Sequence, residues 1–374
     1  MSSKKSYLNE KTLDYLKNLK VNDSSELLRE INSTINSVIK KHIKHSNKKN
    51  EEYENAISLT ESEIKELHNV PSWILKEIKD VKKISKDSKT LIIPDGRKYQ
   101  LNNTLNDLSG SEWTYFTSSV INTNYLTSGE NSFAHHIRKV HPSPKPPALM
   151  KDIISFFTKE NEIVLDYFMG VGGSLLGAAA CNRRAIGIDL NPLYIKTYKK
   201  AAAELNFKEF PTICGEALST LQNDNFQQLL NNEKLGLILI DPPYANMMSK
   251  KKTGADISIY GNTSTPFTES PYDLGNMSRN DFYLNLKKSV ELSSKFLKKN
   301  GYIVIFIKDL QPSKKTTNIL HADIINIINS IPKIEYKGLK IWVDQSAKLF
   351  PYGYPFAFVA NQIHQYILIF RKCN

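Results

Sequence analysis

Residues 163–180 decide the fold of this chain, and their sequence is IVLDYFMGVGGSLLGAAA. The apolar run Ile163–Leu165 followed by Asp166 predicts a buried strand, and the small and apolar residues Leu175–Ala180 predict a helix. The glycine-rich turn between them lets the backbone approach a ligand closely. Strand, glycine turn and helix form the first unit of a nucleotide-binding α/β fold. The sequence therefore predicts a doubly wound, Rossmann-like α/β sheet that binds its ligand at the strand ends.

The glycine turn matches neither of the two common phosphate-binding patterns. No Gly-Lys-Ser/Thr sequence follows it, and its third glycine is misplaced for the dinucleotide fingerprint. The next predicted strand, Ala185–Ile188, ends at Asp189. An acid about 20 residues beyond the glycines suits a ribose diol. A helix N-cap before Asn191-Pro192 is the alternative role for Asp189.

A second motif, Asp241-Pro242-Pro243-Tyr244, follows the apolar run Leu237–Ile240. The run predicts another buried strand, and because prolines end strands and stiffen the backbone, we expect the motif at the rim of the sheet. There the Asp241 carboxylate and the Pro242 carbonyl can accept the two hydrogens of a planar heteroaromatic amine, while Tyr244 stacks on its ring. An ordinary turn after a strand is the alternative.

With both motifs in this order, residues 111–372 resemble the amino-group DNA methyltransferases that use S-adenosylmethionine. Phe168, Gly170 and Gly172 resemble the family's first motif, which holds the methionine part of the cofactor, and Asp166 precedes it in the usual place. The resemblance implies that these four residues bind the cofactor. It identifies the Asp-Pro-Pro-Tyr motif as the catalytic one.

Three further segments carry the resemblance. Asp189 matches the acid that binds the ribose hydroxyls, and Glu216 lies in the place of a Gly-Asp-Ala segment near the cofactor adenine. Lys145 and Pro146 belong to a proline-rich segment that resembles the one closing over the methionine. Residues 364–372 resemble the family's last core strand.

The chain departs from the family pattern at three places. Tyr167 stands where proline is common, Gly173 where threonine is common, and Glu216 where aspartate is common. None of these changes removes a group that the chemistry requires.

The resemblance implies a class I methyltransferase fold, with a seven-stranded mixed sheet whose last strand is antiparallel. It implies S-adenosyl-L-methionine as cofactor and methyl transfer to the exocyclic amine of adenine at a specific site in double-stranded DNA, after base flipping. Adenine is preferred because an aspartate-headed motif is commoner among adenine enzymes. The alternatives are a cytosine-N4 DNA methyltransferase, a tRNA guanine methyltransferase and a non-catalytic DNA-binding subunit.

Composition agrees with a nucleic-acid partner. The 374 residues carry a formal net charge of +12 and are 40% hydrophobic, enough for a packed core. A basic excess favours a polyanionic partner such as double-stranded DNA. A lysine-rich basic protein without such a partner is the alternative. A cognate restriction endonuclease, and a monomeric or homodimeric state, are left open by the sequence.

Neither a metal site nor a disulfide framework is predicted. Cys181, Cys214 and Cys373 form no Cys-x-x-Cys pair, and no acid or cysteine accompanies the histidines near residue 140 at zinc-site spacing. The start of the chain lacks the apolar stretch of a signal peptide, and no apolar run is long enough to span a bilayer. A cytoplasmic protein is expected.

Two domains are predicted, a helical N-terminal extension at 1–88 and the methyltransferase domain at 89–374. Within the extension, apolar spacing predicts an amphipathic helix over 27–39, and a second helix is predicted from Glu51 to His68. Residues 90–101 predict a β-hairpin that turns at Asp95-Gly96.

The segment 245–279, directly after the catalytic motif, is long, unpatterned and rich in Gly, Ser and Thr. Such loops are usually functional or disordered. We predict that it contacts DNA and that Lys250, Lys251 and Lys252 bind phosphates. A surface loop with solvated lysines is the alternative.

Overall fold

The computed structural model describes residues 53–67, 70–243, 268–309, 319–344 and 349–373. The chain divides into two compact units, one of residues 1–67 and 77–98 and one of residues 68–76 and 99–374. The predicted helix over 27–39 lies outside the described residues. Among the described residues, no helix has the length and apolarity needed to cross a membrane.

The smaller unit contains three short strands, β1 (Ile57–Ser58), β2 (Lys82–Lys83) and β3 (Thr90–Ile92), and a helix, α1 (Glu61–Glu66). A fourth strand, β4 (Lys98–Gln100), begins at Lys98, the last residue of the smaller unit. The four strands lie in one sheet in the order in which they occur along the chain.

The predicted hairpin over 90–101 is confirmed, with Gly96 in the left-handed region at φ 82°. The predicted helix from Glu51 to His68 is wrong over much of its length. Thr60 caps α1 through a reciprocal capping box with Glu63, so the helix starts there and Ile57–Ser58 pairs as a strand.

The larger unit is built on an eight-stranded sheet. Its strands are β5 (Val120–Thr123), β6 (Ile163–Asp166), β7 (Arg184–Asp189), β8 (Thr212–Cys214), β9 (Leu235–Ile240), β10 (Leu297–Ile307), β11 (Ile334–Asp344) and β12 (His364–Lys372). Their order is β5-β11-β12-β10-β9-β6-β7-β8. Only β12 runs antiparallel to its neighbours, pairing with β10 and with β11.

The seven predicted strands with an antiparallel last strand are therefore present, and β5 is an eighth strand that the sequence did not predict. It pairs in parallel with β11 through Ile341–Asp344. The strand is only four residues long and alternates between exposed and half-buried positions, so its apolar pattern is weak.

Helices cover both faces of this sheet. They are α2 (Ser72–Leu75), α3 (Gly110–Phe116), α4 (His135–Arg138), α5 (Pro147–Phe157), α6 (Gly173–Ala179), α7 (Pro192–Glu204), α8 (Ala217–Leu221), α9 (Asp224–Leu230), α10 (Arg279–Ser294) and α11 (Leu320–Asn329).

Side-chain alternation along the strands separates two hydrophobic cores. On β9, Ile238 and Ile240 face one core together with residues of α10 and α11, while Leu237 and Leu239 face the other together with residues of α5 and α6. Near-continuous burial of β6 and β9 is what parallel strands covered on both faces require. The five parallel strands from β6 to β10 therefore end at one edge, where the polar residues after them gather.

Candidate active site

A cavity of about 380 Å³ opens at this carboxyl edge of the sheet. Its walls come from the segments that follow β6, β7, β8, β9 and β10, together with the proline-rich segment before α5. Among the residues lining it are the sequence-predicted Lys145, Asp166, Phe168, Gly170, Asp189, Glu216, Asp241, Pro242 and Pro243.

The turn after β6 depends on glycine at two positions. Gly170 and Gly172 have φ values of 50° and 75°, which side chains rarely adopt, and a Cβ on Gly172 would lie 2.3 Å from the Tyr198 ring. The next residue, Gly173, has no room either, because a Cβ there would lie 2.6 Å from the Lys145 carbonyl. The turn thus packs directly against the proline-rich segment and leaves its backbone facing the cavity.

Asp166 holds the glycine turn in shape. Its Oδ1 accepts a hydrogen bond from the Phe168 N–H at 3.0 Å, and its Oδ2 accepts one from the Ser174 hydroxyl. The side chain is buried, and burial raises the pKa of this carboxyl to about 7. Both carboxylate oxygens are engaged by the turn itself, so the contacts of Asp166 stabilise the cradle.

Asp189, at the end of β7, faces the same turn. Its Oδ2 accepts from the Gly170 N–H at 2.7 Å and its Oδ1 from the Asn191 N–H at 2.8 Å. The cap of α7 is Asn191, which accepts from the Leu193 N–H, so the alternative of an N-cap at Asp189 is wrong. Burial raises the pKa of the Asp189 carboxyl to about 6, and the residue lines the cavity.

Glu216 also lies at the cavity, but its side chain caps α8. Its two carboxylate oxygens accept from the Leu218 and Ser219 N–H groups at 2.8 and 2.6 Å. The structure therefore gives Glu216 a capping role at α8, and its predicted contact with the cofactor stays a prediction.

An ion pair in the cavity joins two predicted site residues. Lys145 Nζ lies 2.8 Å from Asp241 Oδ1, and the two side chains are 8% and 20% exposed. No described residue donates a hydrogen bond to Asp241 Oδ2. The proline-rich segment therefore supplies a counter-charge to the carboxylate at the end of β9, a pairing that the sequence did not predict.

Aromatic and basic residues surround this ion pair. Lys145 Nζ lies 5.3 Å from the centre of the Phe306 ring and 5.9 Å from that of Trp342, within range of cation–π attraction. Burial, and then the nearby charge of Lys145, lower the pKa of Lys308 at the end of β10. Two cationic groups thus face the rim that holds Asp241.

The proline-rich segment is held in place by Arg138, a residue that the sequence did not predict for the site. Its guanidinium is 1% exposed and donates to the carbonyls of Val171 and Lys145, which joins the glycine turn to the segment. An arginine on a short helix carries no motif of its own, so nothing in the sequence pattern indicates this role.

His141 faces the glycine turn from the same segment. Burial, and then the charges of Lys145 and Arg138, lower its pKa to about 4, which makes the ring neutral at pH 7. Its Nδ1 accepts from the Ser143 N–H at 3.1 Å, so the ring proton resides on Nε2, on the side of Gly170.

A further wall of the cavity comes from the end of the predicted DNA-contacting loop. Asp273 is buried, with Oδ2 accepting from the Thr268 hydroxyl at 2.9 Å and Oδ1 accepting from the Gly275 N–H at 2.8 Å. These bonds form an ordered turn whose Asp-x-Gly composition signals an Asx-turn in the sequence. Its position in the cavity wall depends on tertiary packing and was not predicted.

The remaining predicted residues divide into two groups. Pro146 caps the start of α5 next to Lys145. Tyr244, Lys250, Lys251 and Lys252 lie outside the described residues, as does the segment 245–267.

The site fits a nucleoside cofactor with a positively charged methionine end. Three features meet at one edge of the sheet. They are the glycine turn after β6, whose backbone leaves no room for a Cβ, the carboxylate of Asp189 at the end of β7, and a cavity of nucleoside size. Strand order and the antiparallel β12 define this architecture as that of the class I methyltransferases.

Comparisons with known proteins show which proteins this chain resembles. A family model described as DNA methylase matches residues 26–200, and a model described as conserved hypothetical protein 95 matches residues 150–258. The type II methyltransferase M.HpaI of Haemophilus parainfluenzae is 38% identical over 87 residues, which cover 23% of this chain and 27% of that protein. The chain is thus similar to the N6/N4 DNA methylases, which are S-adenosylmethionine-dependent methyltransferases, over somewhat less than half of its length.

A tRNA (guanine(10)-N2)-dimethyltransferase of Methanocaldococcus jannaschii is 30% identical over 146 residues, covering 37% of this chain and 40% of that protein. The chain thus spans less than half the length of both of these relatives. Among solved structures, TrmN from Thermus thermophilus superimposes with a TM-score of 0.39 at 12% identity, over 63% of this chain and 52% of that one.

Proposed function

We propose that this protein is a DNA methyltransferase that methylates the exocyclic amine of adenine within duplex DNA, using S-adenosyl-L-methionine. The observation that carries the proposal is the position of Asp241. Its carboxylate lies at the rim of the cavity that contains the glycine cradle and Asp189, and it is ion-paired with Lys145. An acceptor for amine hydrogens and a cofactor site thus share one space.

Asp241 and the Pro242 carbonyl would accept the two amine hydrogens. This arrangement draws the nitrogen lone pair out of the ring, so that it can attack a methyl group in line. The nitrogen would gain the methyl group as the methyl–sulfur bond breaks and the sulfonium leaves as a neutral thioether, and the nitrogen would release one proton to water. Because Lys145 pairs with Oδ1, Oδ2 is the oxygen left for the amine.

The bound cofactor supplies an electrophilic methyl group on a sulfonium. The residues proposed to hold it are Phe168, Gly170 and Gly172 through the turn and Asp189 through the ribose hydroxyls. Asp166 supports them through the turn. Tyr244 is proposed to stack on the extruded base, and Lys250 to Lys252 to bind phosphates, as the sequence predicts.

Adenine is proposed over cytosine because the motif begins with aspartate. Mass spectrometry of nucleosides from the DNA of cells producing the protein tests this choice. We expect N6-methyladenine in excess over cells producing Asp241→Ala. N4-methylcytosine in place of N6-methyladenine would assign the enzyme to cytosine.

A second candidate is RNA methylation, favoured by the 30% identity to the tRNA methyltransferase. Purified protein given labelled S-adenosylmethionine and equal amounts of duplex DNA and tRNA separates the two. We expect label in DNA. Label confined to tRNA would replace the proposal with its rival, and the absence of cofactor binding in calorimetry would favour a non-catalytic subunit.

A cognate restriction endonuclease remains a proposed partner, supported by the type II methyltransferases among the relatives. Double-stranded DNA is the proposed substrate, in agreement with the net charge of +12.

A further inference from the structure

The connection between β11 and β12 presents an unusual aromatic surface. Its described part, residues 349–363, contains no charged residue and no histidine. Tyr354, Phe356 and Phe358 are 82%, 93% and 93% exposed, the highest values among the large hydrophobic side chains apart from Tyr115. Three aromatic rings in five residues form an apolar patch that a surface loop has no structural need to expose.

The loop is held in shape by its own backbone bonds, so the exposure accompanies a defined geometry. Asn361 closes the base of the loop by accepting from the Phe350 N–H and donating to the Phe350 carbonyl, both at 2.8 Å. At the tip, the Gly353 carbonyl accepts from the N–H groups of Phe356 and Ala357 at 2.7 and 2.8 Å. Gly353 itself has a φ of 77°, which favours glycine.

The base of this aromatic loop adjoins the proposed active site. β11 ends at Asp344 and β12 begins at His364, so both ends of the loop lie at the carboxyl edge of the sheet. Gln365 lines both the catalytic cavity and a neighbouring cavity of about 290 Å³ that Lys145 also lines. Gln365 Oε1 is buried without a hydrogen-bond partner among the described residues, so the space beside it suits a ligand with a donor.

We propose that Tyr354, Phe356 and Phe358 contact the bases of duplex DNA beside the extruded nucleotide. This inference rests on the proposed function. A base taken out of the helix leaves neighbours with unstacked faces, and aromatic or apolar side chains fill such gaps. Phe356 and Phe358, the most exposed pair, stack on or between these bases.

The chemistry of the loop favours base contact over phosphate contact. Residues 349–363 carry no charge and offer no ionic attraction to phosphates, whereas rings stack on any base because every base has a π-face. The phosphates are left to basic residues elsewhere in a chain of net charge +12. The loop therefore supplies stacking energy and helps to keep the target base extruded.

The test uses the full-length protein and the Phe356→Ala/Phe358→Ala double variant. Methylation-aware sequencing of DNA from cells that produce the protein first gives the methylated site. The probe is a duplex that carries this site with 2-aminopurine at the target position. We expect the double variant to bind this duplex about tenfold or more weakly and to give a smaller 2-aminopurine fluorescence rise, because stacking is worth roughly 1–3 kcal/mol per base. Its affinity for S-adenosylmethionine is expected to be unchanged.

Leu229→Ala, which removes a 41% exposed apolar side chain on α9, is the matched control and is expected to behave like the parent. A duplex with an abasic position opposite the target makes extrusion easier, so it is expected to restore much of the variant's methyl transfer.

Parent-like duplex affinity and fluorescence in the double variant would overturn the inference. So would a variant that methylates DNA normally but changes from dimer to monomer in light scattering, since that assigns the loop to a protein interface. A parent protein that fails to methylate DNA at all contradicts the proposed function instead, which keeps the two failures distinct.

Discussion

At the scale of single residues, the pairing of Lys145 with Asp241 changes the role expected for the lysine. The resemblance assigned Lys145 to cofactor binding, whereas its Nζ lies 2.8 Å from the carboxylate of Asp241 in the structure. Removing one partner of a buried ion pair leaves an uncompensated charge, at a cost of several kcal/mol. Lys145 therefore qualifies as a positioning residue for Asp241, and its cofactor role stays a prediction.

These two roles give different results for Lys145→Met. If Lys145 positions Asp241, the variant lowers the rate constant of methyl transfer by roughly tenfold to a hundredfold, with little change in the dissociation constant of S-adenosylmethionine. Single-turnover kinetics and calorimetry measure the two quantities. Lys145→Arg, which keeps the charge, is the control and is expected to retain more activity. A weakened cofactor affinity at an unchanged rate would return Lys145 to the cofactor.

Asp189 gives a pH prediction. Burial raises the pKa of this carboxyl to about 6, and ribose hydroxyls donate to the charged form. Cofactor affinity is therefore fully present above this pKa and is lost as the pH falls through about 6, approaching tenfold per pH unit below it.

Calorimetry between pH 5 and 8 measures this dependence. The Asp189→Asn variant is expected to bind S-adenosylmethionine more weakly than the parent at pH 8. Its affinity is also expected to show no fall as the pH is lowered through 6. If the affinity of the variant still falls as the pH is lowered, the titrating group is Asp166 instead, because burial raises the pKa of that carboxyl to about 7.

Residue-level prediction from the sequence succeeded where side chains follow strands. Asp166, Asp189 and Asp241 each end or follow a predicted strand, and parallel strands bring such positions to one edge. Arg138 and Asp273 were missed because their roles depend on contacts between segments far apart in sequence. No local pattern encodes those contacts.

At the scale of elements, the turn after β6 requires glycine at position 172, and a substitution can test this requirement. Gly172→Ala places a Cβ 2.3 Å from the ring of Tyr198, which is buried and whose hydroxyl accepts from the Phe210 N–H. The turn or the ring must shift, so we expect a lower melting temperature and a cofactor affinity reduced by about tenfold or more.

Gly129→Ala is the matched control for that variant. Gly129 has a similar φ of 81°, but a Cβ there meets nothing within 4 Å. Its ψ of −179° places it in a region almost exclusive to glycine, so the variant reports the backbone cost of alanine at a positive φ without a side-chain clash, about 1–3 kcal/mol. Equal losses of melting temperature and cofactor affinity in both variants would mean that the contact with Tyr198 is unimportant.

Elements were predictable in proportion to their burial. Strands β6 and β9 have continuous apolar runs and were located from the sequence. Strand β5 and the short helix α1 were not located correctly. Their residues are mostly half-buried or exposed, so pairing and capping decide their structure more than hydrophobic pattern does.

At the scale of the whole molecule, the sheet brings together motifs that are spread along the chain. The DNA methylase model ends at residue 200, before Asp241, whereas the model that matches 150–258 includes both the glycine turn and Asp241. Because β9 lies directly beside β6 in the sheet, the two motifs meet at one edge whatever lies between them in sequence.

The adjacency of β6 and β9 is why the fold class and the meeting of the two motifs at one edge of the sheet were predictable from the sequence. The aromatic loop between β11 and β12 was not singled out, because an uncharged aromatic segment also fits a buried strand. Its exposure became evident only with the strand bounds.

The central claim is that Asp241 activates an amine of DNA beside a bound cofactor. Methyl transfer from labelled S-adenosylmethionine to duplex DNA by Asp241→Ala, measured with cofactor affinity on the same preparation, tests it most directly. We predict that transfer falls by roughly a thousandfold or more while the cofactor dissociation constant stays within a few-fold of the parent. Undiminished transfer by this variant would contradict the claim.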